Sequence, residues 1–477
     1  MAVRLGYKED NSTDLRSSFS FVDRQDGGSV NSQLPGNNSD YSKLIRNFSV
    51  PVIAHEVGQY QTYPDFSCIK KYDGVLRPDN FREFERRADE AGTLRKNKEY
   101  ALASSKWAQK LYKAEVEKYM RTPKMGGFQL MSLVDYPGQG TALVGLLDSF
   151  MEAKGDLKAE DWREFCDDIV VMAEFPNYTF KAGATVNIPI VVANYSDKPD
   201  AVKKIEWSTS FDHGDFNVKP MQGVSEIGNL TLFLPKLTTP QQFTFTLSSD
   251  DGKVKNHYDF WVYPTARLNN DGVYVTKDID HALALLRGGE KVLLTPDFDA
   301  VASTTIDPLF STDFWNYRMF RTLSDHLDAP ASPGTLGLLI NNDHPALNYF
   351  PTESHTDWQW FSIVNNSRPL IIDRLPRDFD PVIEVIDNVE RNFRMSMLLE
   401  CNVGKGKLMI LNVDMSKVID TPEGEWLMQS VKKYMGSKEF KPKVTLTEEQ
   451  VKNLLTKPSN TRLIRELKNE IYDPHWD

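Results

Sequence analysis

The sequence predicts a multidomain chain: an α/β segment, then an all-β sandwich, then a second α/β domain built on an open sheet. Three observations carry this. The chain has 477 residues, enough for two to four domains at ~100–200 residues each. Over about the first 155 residues, and again from about Asp271, strand-length apolar runs alternate with helical stretches. Between Asp168 and Tyr263 the helical signal stops, and short strands follow at nearly regular intervals.

Taken in order, Leu15-Arg-Ser-Ser-Phe-Ser-Phe-Val22 alternates as a strand, and Asp26-Gly-Gly28 with Pro35-Gly-Asn-Asn-Ser39 punctuates a loop. Val50-Pro-Val-Ile-Ala54 reads as a buried strand. A helix is expected from near Asn80, with Glu83 completing a capping box, to a stop near Gly92. The next helix spans about Asn97 to Met120, with Leu102, Ala103, Leu111, Val116 and Tyr119 as a ragged apolar face. Gly126–Val134 is a further buried strand. The all-β stretch holds Thr185–Ala193, Ile205–Ser210, Leu230–Leu234, Phe243–Leu247 and His257–Tyr263, a spacing that suggests an immunoglobulin-like sandwich without its Cys…Trp…Cys signature. In the last domain a helix over Asp278–Leu286 ends at Gly288-Gly289. Strands are expected at Lys291–Thr295, Thr335–Ile340, Pro369–Asp373, Val382–Ile386 and Lys407–Asn412. A charged helical tail closes the chain.

Composition narrows the function. Fifty-six basic against 67 acidic side chains leave a net charge of −11, a poor grip for phosphate backbones, so no nucleic-acid partner is expected. Cys68, Cys166 and Cys401 are too scattered for a disulfide framework or a zinc cluster. No run approaches the ~18 apolar residues of a membrane span, and the first ten residues do not form a signal peptide.

The most informative segment is Pro51-Val-Ile-Ala-His-Glu-Val-Gly-Gln-Tyr60. A buried strand delivers a His-Glu pair and Gly58 allows a sharp exit. At the C-terminal end of a parallel-barrel strand such a carboxylate can act as nucleophile or general base; on its own, a strand-end Glu is more often structural. It is not a zinc-protease motif, because Gln59 stands where the second His belongs. Gly404-Lys-Gly-Lys407 is a turn rather than a phosphate loop, and Gly138-Gln-Gly140 lacks the third glycine of a dinucleotide fingerprint. Asn341-Asn-Asp-His-Pro345 and Glu353-Ser-His-Thr-Asp-Trp358 read as an interdomain or subunit contact in preference to a ligand crevice. Tyr60, Tyr63, Phe66, Trp107 and Tyr136 include candidate sugar platforms, most of them better read as core.

Ser49–Tyr60, followed by Gly126-Gly-Phe-Gln-Leu130 and Asp135-Tyr-Pro-Gly-Gln-Gly140, resembles the end of the catalytic barrel of glycoside hydrolase family 2. That family includes β-galactosidases, β-glucuronidases and β-mannosidases. The likeness is to the large multidomain members of polysaccharide-degrading gut bacteria, and it extends to Asn342-Asp-His-Pro-Ala-Leu347 and Trp358-Gln-Trp360. It implies the last strands of a (β/α)8 barrel over 1–155, an immunoglobulin-like sandwich over 160–266, an amidotransferase- or flavodoxin-like open sheet over 270–440 and a helical tail over 441–477.

The same resemblance implies a retaining β-glycosidase with Glu56 as nucleophile on barrel strand seven. His55, Gln59, Tyr60, Gln129 and Asp135 would contact the substrate, and no metal or cofactor would be needed. The partner would be a carbohydrate, a homo-oligomer stays open, and the full-length bacterial enzyme would be periplasmic or secreted. The family's acid/base follows an Asn on strand four; Glu9 follows Lys8, and Asn469-Glu470 lies in the tail. A barrel takes ~250 residues, so the chain is expected to be the C-terminal part of a longer enzyme, inactive alone. The alternative is a noncatalytic carbohydrate-binding or assembly protein derived from such an enzyme.

Overall fold

The computed structural model describes residues 16–19, 29–49, 51–136, 140–266, 272–313, 315, 334–389 and 391–458. Asp26–Gly28, the start of the glycine pair at 138 and the tail beyond 458, with Asn469 and Glu470, lie outside these. The chain is multidomain and rich in mixed β-sheet. It divides into two compact units: residues 1–60, 108–135 and 144–265 form the first, and 61–107, 136–143 and 266–477 the second.

The first unit contains a parallel three-stranded sheet in the order β1 (Arg16–Phe19), β2 (Val52–Val57), β3 (Met125–Leu130). Parallel neighbours need a crossover, and the connection from β2 to β3 includes the helix Asn97–Met120, whose residues from Ala108 onward belong to this unit. Ala54 and Val57 pack with Tyr41 and Tyr119 in one apolar cluster, against Met125, Phe128 and Leu130.

Two further sheets follow in the same unit. One is β4 (Ile169–Ala173), β6 (Thr185–Asn194) and β9 (Gly223–Phe233), in the order β4-β6-β9. The other joins β5 (Thr179–Lys181), β7 (Lys204–Ser208), β8 (His213–Asn217), β10 (Gln241–Ser249) and β11 (Lys255–Tyr263), in the order β5-β11-β10-β7-β8. Pairing is antiparallel except between β5 and β11. On β10 Phe243, Phe245 and Leu247 are buried while Thr244 and Thr246 face out, the period-two pattern of a half-buried strand. Phe175, just past β4, meets Phe245 and Phe260 at ring distances of 5.6 and 5.8 Å, so the two sheets share one core.

A buried polar cluster ties the helix to these sheets. The Glu117 carboxylate, 1% exposed, accepts from Asn256 Nδ2 and the Tyr258 hydroxyl, each at 2.9 Å, and from Asn37 Nδ2 at 3.5 Å. Asn37 and Asn256 also donate to the carbonyls of Ala173 and Val171 on β4. Burial first, and then the Glu117 charge, push the Tyr258 phenol well above its ordinary range and keep it a donor.

The second unit is organised by one mixed sheet, in the order β12-β13-β18-β17-β16-β14. Its strands are β12 (Val273–Thr276), β13 (Lys291–Leu294), β14 (Thr335–Ile340), β15 (Leu370–Ile371), β16 (Ile383–Asp387), β17 (Arg394–Val403), β18 (Gly406–Leu411) and β19 (Thr445–Leu446). β15 and β19 add to β17 off the main path. Between β12 and β13 runs the helix Ile279–Arg287, started by the Asp278 carboxylate accepting from His281 N–H.

The helix Asp79–Ala91 is closed by Gly92 in the left-handed conformation. Beyond it, Lys96 pairs with Glu384 on β16, and the Tyr100 hydroxyl donates to the same carboxylate at 2.7 Å. Arg95 and Lys96 both reach Asp380, at 2.5 and 2.7 Å.

Two expectations differ from the structure. The capping box at Asn80 and Glu83 does not form. Pro78 takes the cap position, and Glu83 pairs instead with Arg86 and Arg87 one turn on. The sheet of the last domain is mixed, where a flavodoxin-like sheet is parallel throughout. β12, β13 and β18 are parallel, but β18-β17-β16-β14 are antiparallel. The reason is local. Gly404, at φ +58°, makes the tight turn that lets β17 and β18 close as a hairpin, where a parallel pair would need a long crossover. The turn expected at Gly404–Lys407 is therefore present.

Two outcomes follow. Glu117→Ala takes the acceptor from the buried Tyr258 hydroxyl, at about 1–3 kcal/mol, while Asn37 and Asn256 keep their carbonyl partners. Urea denaturation should show roughly 1–3 kcal/mol of lost stability, and Glu117→Gln, which keeps an acceptor, less than half of that. Against the opposing effect of partial burial, Arg95 and Lys96 hold the Asp380 carboxyl below its ordinary 3.8. A depressed folded-state value contributes stability above the unfolded value that is lost as pH falls through the folded one. The stability difference between the native chain and Asp380→Asn should stay constant from neutral pH down to about 4 and close below it.

Candidate active site

β2 is not a regular strand at its C-terminal end. Ala54 pairs with Phe128 and Val57 with Leu130. Three steps along β2 therefore match two along β3, and one extra residue bulges out at His55-Glu56. Glu56 carries the strain, with φ at +59°, a region an L side chain seldom occupies. The bulge moves Val57 into the core position that alternation would have assigned to Glu56. It leaves the Glu56 side chain 39% exposed beside His55 at 38%.

The histidine is held by the neighbouring strand. His55 Nδ1 lies 2.9 Å from Gln129 Oε1 on β3. An amide oxygen only accepts, so this contact is a hydrogen bond in the tautomer with the proton on Nδ1. Nε2 then faces Glu56 Oε1 at 3.7 Å. Both of these atoms are acceptors when the imidazole is neutral, and the edge they form suits a ligand that donates, such as a hydroxyl group.

The backbone after Glu56 is fastened at three points. Gln59 Nε2 donates to the Glu56 carbonyl at 2.9 Å. Gly58 N–H donates to Glu115 Oε2 at 3.0 Å. The Tyr112 hydroxyl lies between the carbonyls of Gly58 and Val144, with one proton to donate to the pair. Gly58 has φ +74°, and a Cβ there would sit 2.0 Å from the Tyr112 ring. Here glycine is required twice, by conformation and by space.

The other expected site residues fall into two groups. Gln129 joins His55 and Glu56, and Gln59 joins them through the backbone. Tyr60, 1% exposed, packs edge-on against Tyr112 at 5.3 Å. Asp135 is buried, accepting from Gly145 N–H at 2.9 Å and pairing with Lys154 at 2.7 Å. Burial raises its carboxyl above the ordinary range, and the Lys154 charge opposes that.

Among the remaining carboxylates of interest, Asp65 caps the turn at Phe66–Lys71, and Asp148 accepts from the N–H groups of Phe150 and Glu152. Tyr63, Phe66 and Trp107 are buried, and only Tyr136 of the aromatic candidates is exposed, at 53%. The polar clusters of the last domain hydrogen-bond locally and to β14. His344 Nδ1 accepts from Ala346 N–H, Asp357 from Trp358 N–H and Thr356 Oγ1 from Leu338 N–H. Sequence reasoning missed Tyr112 and Glu115. The signal was present as polar groups within an otherwise apolar helix face. Among the described residues no group of three or more His, Cys, Asp or Glu is placed to hold a metal ion. No described helix is long and apolar enough to cross a membrane.

Two family models match the chain, both domains of unknown function: DUF8488 over residues 184–264 and DUF8487 over 274–456. No curated protein matches. Among solved structures, the exo-chitosanase of Amycolatopsis orientalis aligns with 32% of this chain and 18% of its own, at 16% identity and a TM-score of 0.22. The β-glucuronidase of Parabacteroides merdae aligns with 55% and 32%, at 10% identity and 0.21. For β-glucuronidase 3 of Bacteroides uniformis the figures are 49% and 28%, 10% and 0.19. The chain spans at most 32% of the length of these three structures.

The close approach at Gly58 gives a direct test. Gly58→Ala should cost about 1–3 kcal/mol from overpacking alone, with left-handed strain added. A melting temperature unchanged from the native chain would show that the Tyr112 ring does not pin this turn.

Proposed function

We propose that Glu56 is the nucleophile of a retaining β-glycosidase of the family-2 kind, acting on oligo- or polysaccharides. The observation that carries this reading is the bulge at His55-Glu56. A strained, half-exposed carboxylate stands at the C-terminal end of a parallel strand, the end where parallel-barrel enzymes build their sites. In retaining chemistry the carboxylate attacks the anomeric carbon. A second carboxylic acid protonates the departing oxygen, and water then hydrolyses the glycosyl–enzyme ester.

His55 and Gln129 supply the polar wall that meets a sugar hydroxyl. Gln59 acts through the Glu56 carbonyl, and Tyr60 packs against the Tyr112 ring. The family pattern puts the acid on an earlier strand after an Asn, and no residue of this chain fits that pattern. One observation favours the alternative of a noncatalytic carbohydrate-binding protein: Asp65, Asp135 and Asp148 all turn onto backbone N–H groups.

A reactive leaving group separates the two, because dinitrophenolate departs without protonation. Incubation with 2,4-dinitrophenyl 2-deoxy-2-fluoro-β-glycosides of galacto, glucurono and manno configuration should add one fluoroglycosyl group. Peptide mass spectrometry should place it on Glu56, and Glu56→Gln should abolish it. Binding of an oligosaccharide without any such adduct would establish the noncatalytic reading. On natural O-glycosides, whose leaving oxygen needs a proton, the chain alone should show no appreciable turnover, since acid assistance contributes about 10²–10⁴-fold.

A further inference from the structure

We propose that Tyr112 and Glu115 are positioning residues that hold Glu56 in its left-handed, outward-facing conformation by clamping the peptide groups on either side of Gly58. Their kinetic role rests on Glu56 being the nucleophile; their conformational role does not. A non-glycine residue at positive φ persists only where its surroundings over-determine it. Around Glu56 the determinants can be named. Glu115 Oε2 takes the Gly58 N–H at 3.0 Å, and the Tyr112 hydroxyl takes the Gly58 carbonyl, so both polar ends of residue 58 are fixed by one helix.

The helix residues are themselves fixed. Tyr112 is 1% exposed and Glu115 6%. The Tyr112 ring lies edge-on to Tyr60 at 5.3 Å and to Trp162 at 6.2 Å. Its hydroxyl also lies within reach of the Val144 carbonyl, which shares its one proton, and Tyr119 donates to Glu115 Oε1 at 3.5 Å. The two side chains lie three residues apart, hence on the same helical face. They act on the Glu56 carboxylate through two peptide units.

Loss of either contact frees the turn, and Glu56 relaxes toward the ordinary extended region. Alternation then rotates its side chain toward the Ala54 face. A displacement of about an ångström at a reacting atom is enough to lose ~10²-fold in rate.

The test uses Tyr112→Phe, Glu115→Leu and Glu115→Gln in the full chain. Crystal structures come first. The expected result is Glu56 at negative φ in Tyr112→Phe and Glu115→Leu, and at positive φ in Glu115→Gln, which keeps an acceptor for Gly58 N–H. Glu56 unmoved in both Tyr112→Phe and Glu115→Leu overturns the inference. Should Glu115→Leu fail to fold, Tyr112→Phe decides alone, since it keeps the ring packing.

Kinetics of the fluoroglycoside reaction come second. The maximal inactivation rate should fall ~10–100-fold in Tyr112→Phe and Glu115→Leu with half-saturation unchanged, and stay within threefold of the native rate in Glu115→Gln. A purely structural role would lower the melting temperature and leave the rate alone, which overturns the positioning claim. If Glu56 moves as expected but the native chain is never labelled, the nucleophile reading fails and the conformational clamp stands.

Discussion

The first unit depends on one constraint: the helix Asn97–Met120 carries two buried carboxylates two residues apart. At about 100° per residue, Glu115 and Glu117 point some 200° from each other, to opposite sides of the axis. Glu115 faces the bulged end of β2 and takes the Gly58 N–H. Glu117 faces the sheets and takes Asn256 and Tyr258. A carboxylate out of water must find donors or lose several kcal/mol, so each glutamate dictates what stands opposite it. One turn of helix thereby fixes the parallel sheet on one side and the paired sheets on the other.

The same logic explains why the apolar face of this helix looks ragged in sequence. An amphipathic helix shows one clean stripe. Here Ala103, Leu111, Val116 and Tyr119 are buried, while Leu102 is 38% exposed, and Ser104, Ser105, Glu115 and Glu117 are buried among them. Ser104, Glu115 and Glu117 spoil the pattern because their polar groups are hydrogen-bonded: Ser104, for example, donates to the Tyr100 carbonyl at 2.7 Å and accepts from Tyr63 N–H at 2.9 Å. Periodicity measures hydrophobicity and is blind to a hydrogen bond whose partner is far away in sequence.

Legibility elsewhere followed the same division. The helix Ile279–Arg287 announced itself through Asp278 and the glycine pair, both local signals. β10 and β11 announced themselves by alternation. β17 did not, although it pairs with four other strands of its sheet. Its sequence Arg394-Met-Ser-Met-Leu-Leu-Glu-Cys-Asn-Val403 is buried along most of its length, so no alternation exists to be read. Its Met and Leu residues favour helix when taken alone. β4, β5, β8 and β12 were also unread, being short or lacking a full alternating run. Of the candidate site, the His-Glu pair and Gly58 were legible as the end of a buried strand with a sharp exit, and Gln129 through family resemblance. The bulge was not, because register is a property of two strands, and β3 lies some 70 residues further along the chain.

The bulge itself follows from comparing two costs. In an unbroken strand the residues facing the core would be Val52, Ala54 and then Glu56. That would press the carboxylate into the cluster of Tyr41, Ala54 and Tyr119. Burying an unpaired carboxylate there costs several kcal/mol even after relaxation. Turning one residue into the left-handed region costs about 1–3 kcal/mol, and the Gly58 clamp returns part of it in hydrogen bonds to a charged acceptor. The strained form is the cheaper one. Val57 slips into the vacated core position, and Glu56 joins His55 on the open side. An apolar residue at position 56 would remove the conflict and let the strand run straight. A chain built for stability alone would carry one. The glutamate keeps a strain whose one return is a half-exposed carboxylate beside a histidine held by Gln129.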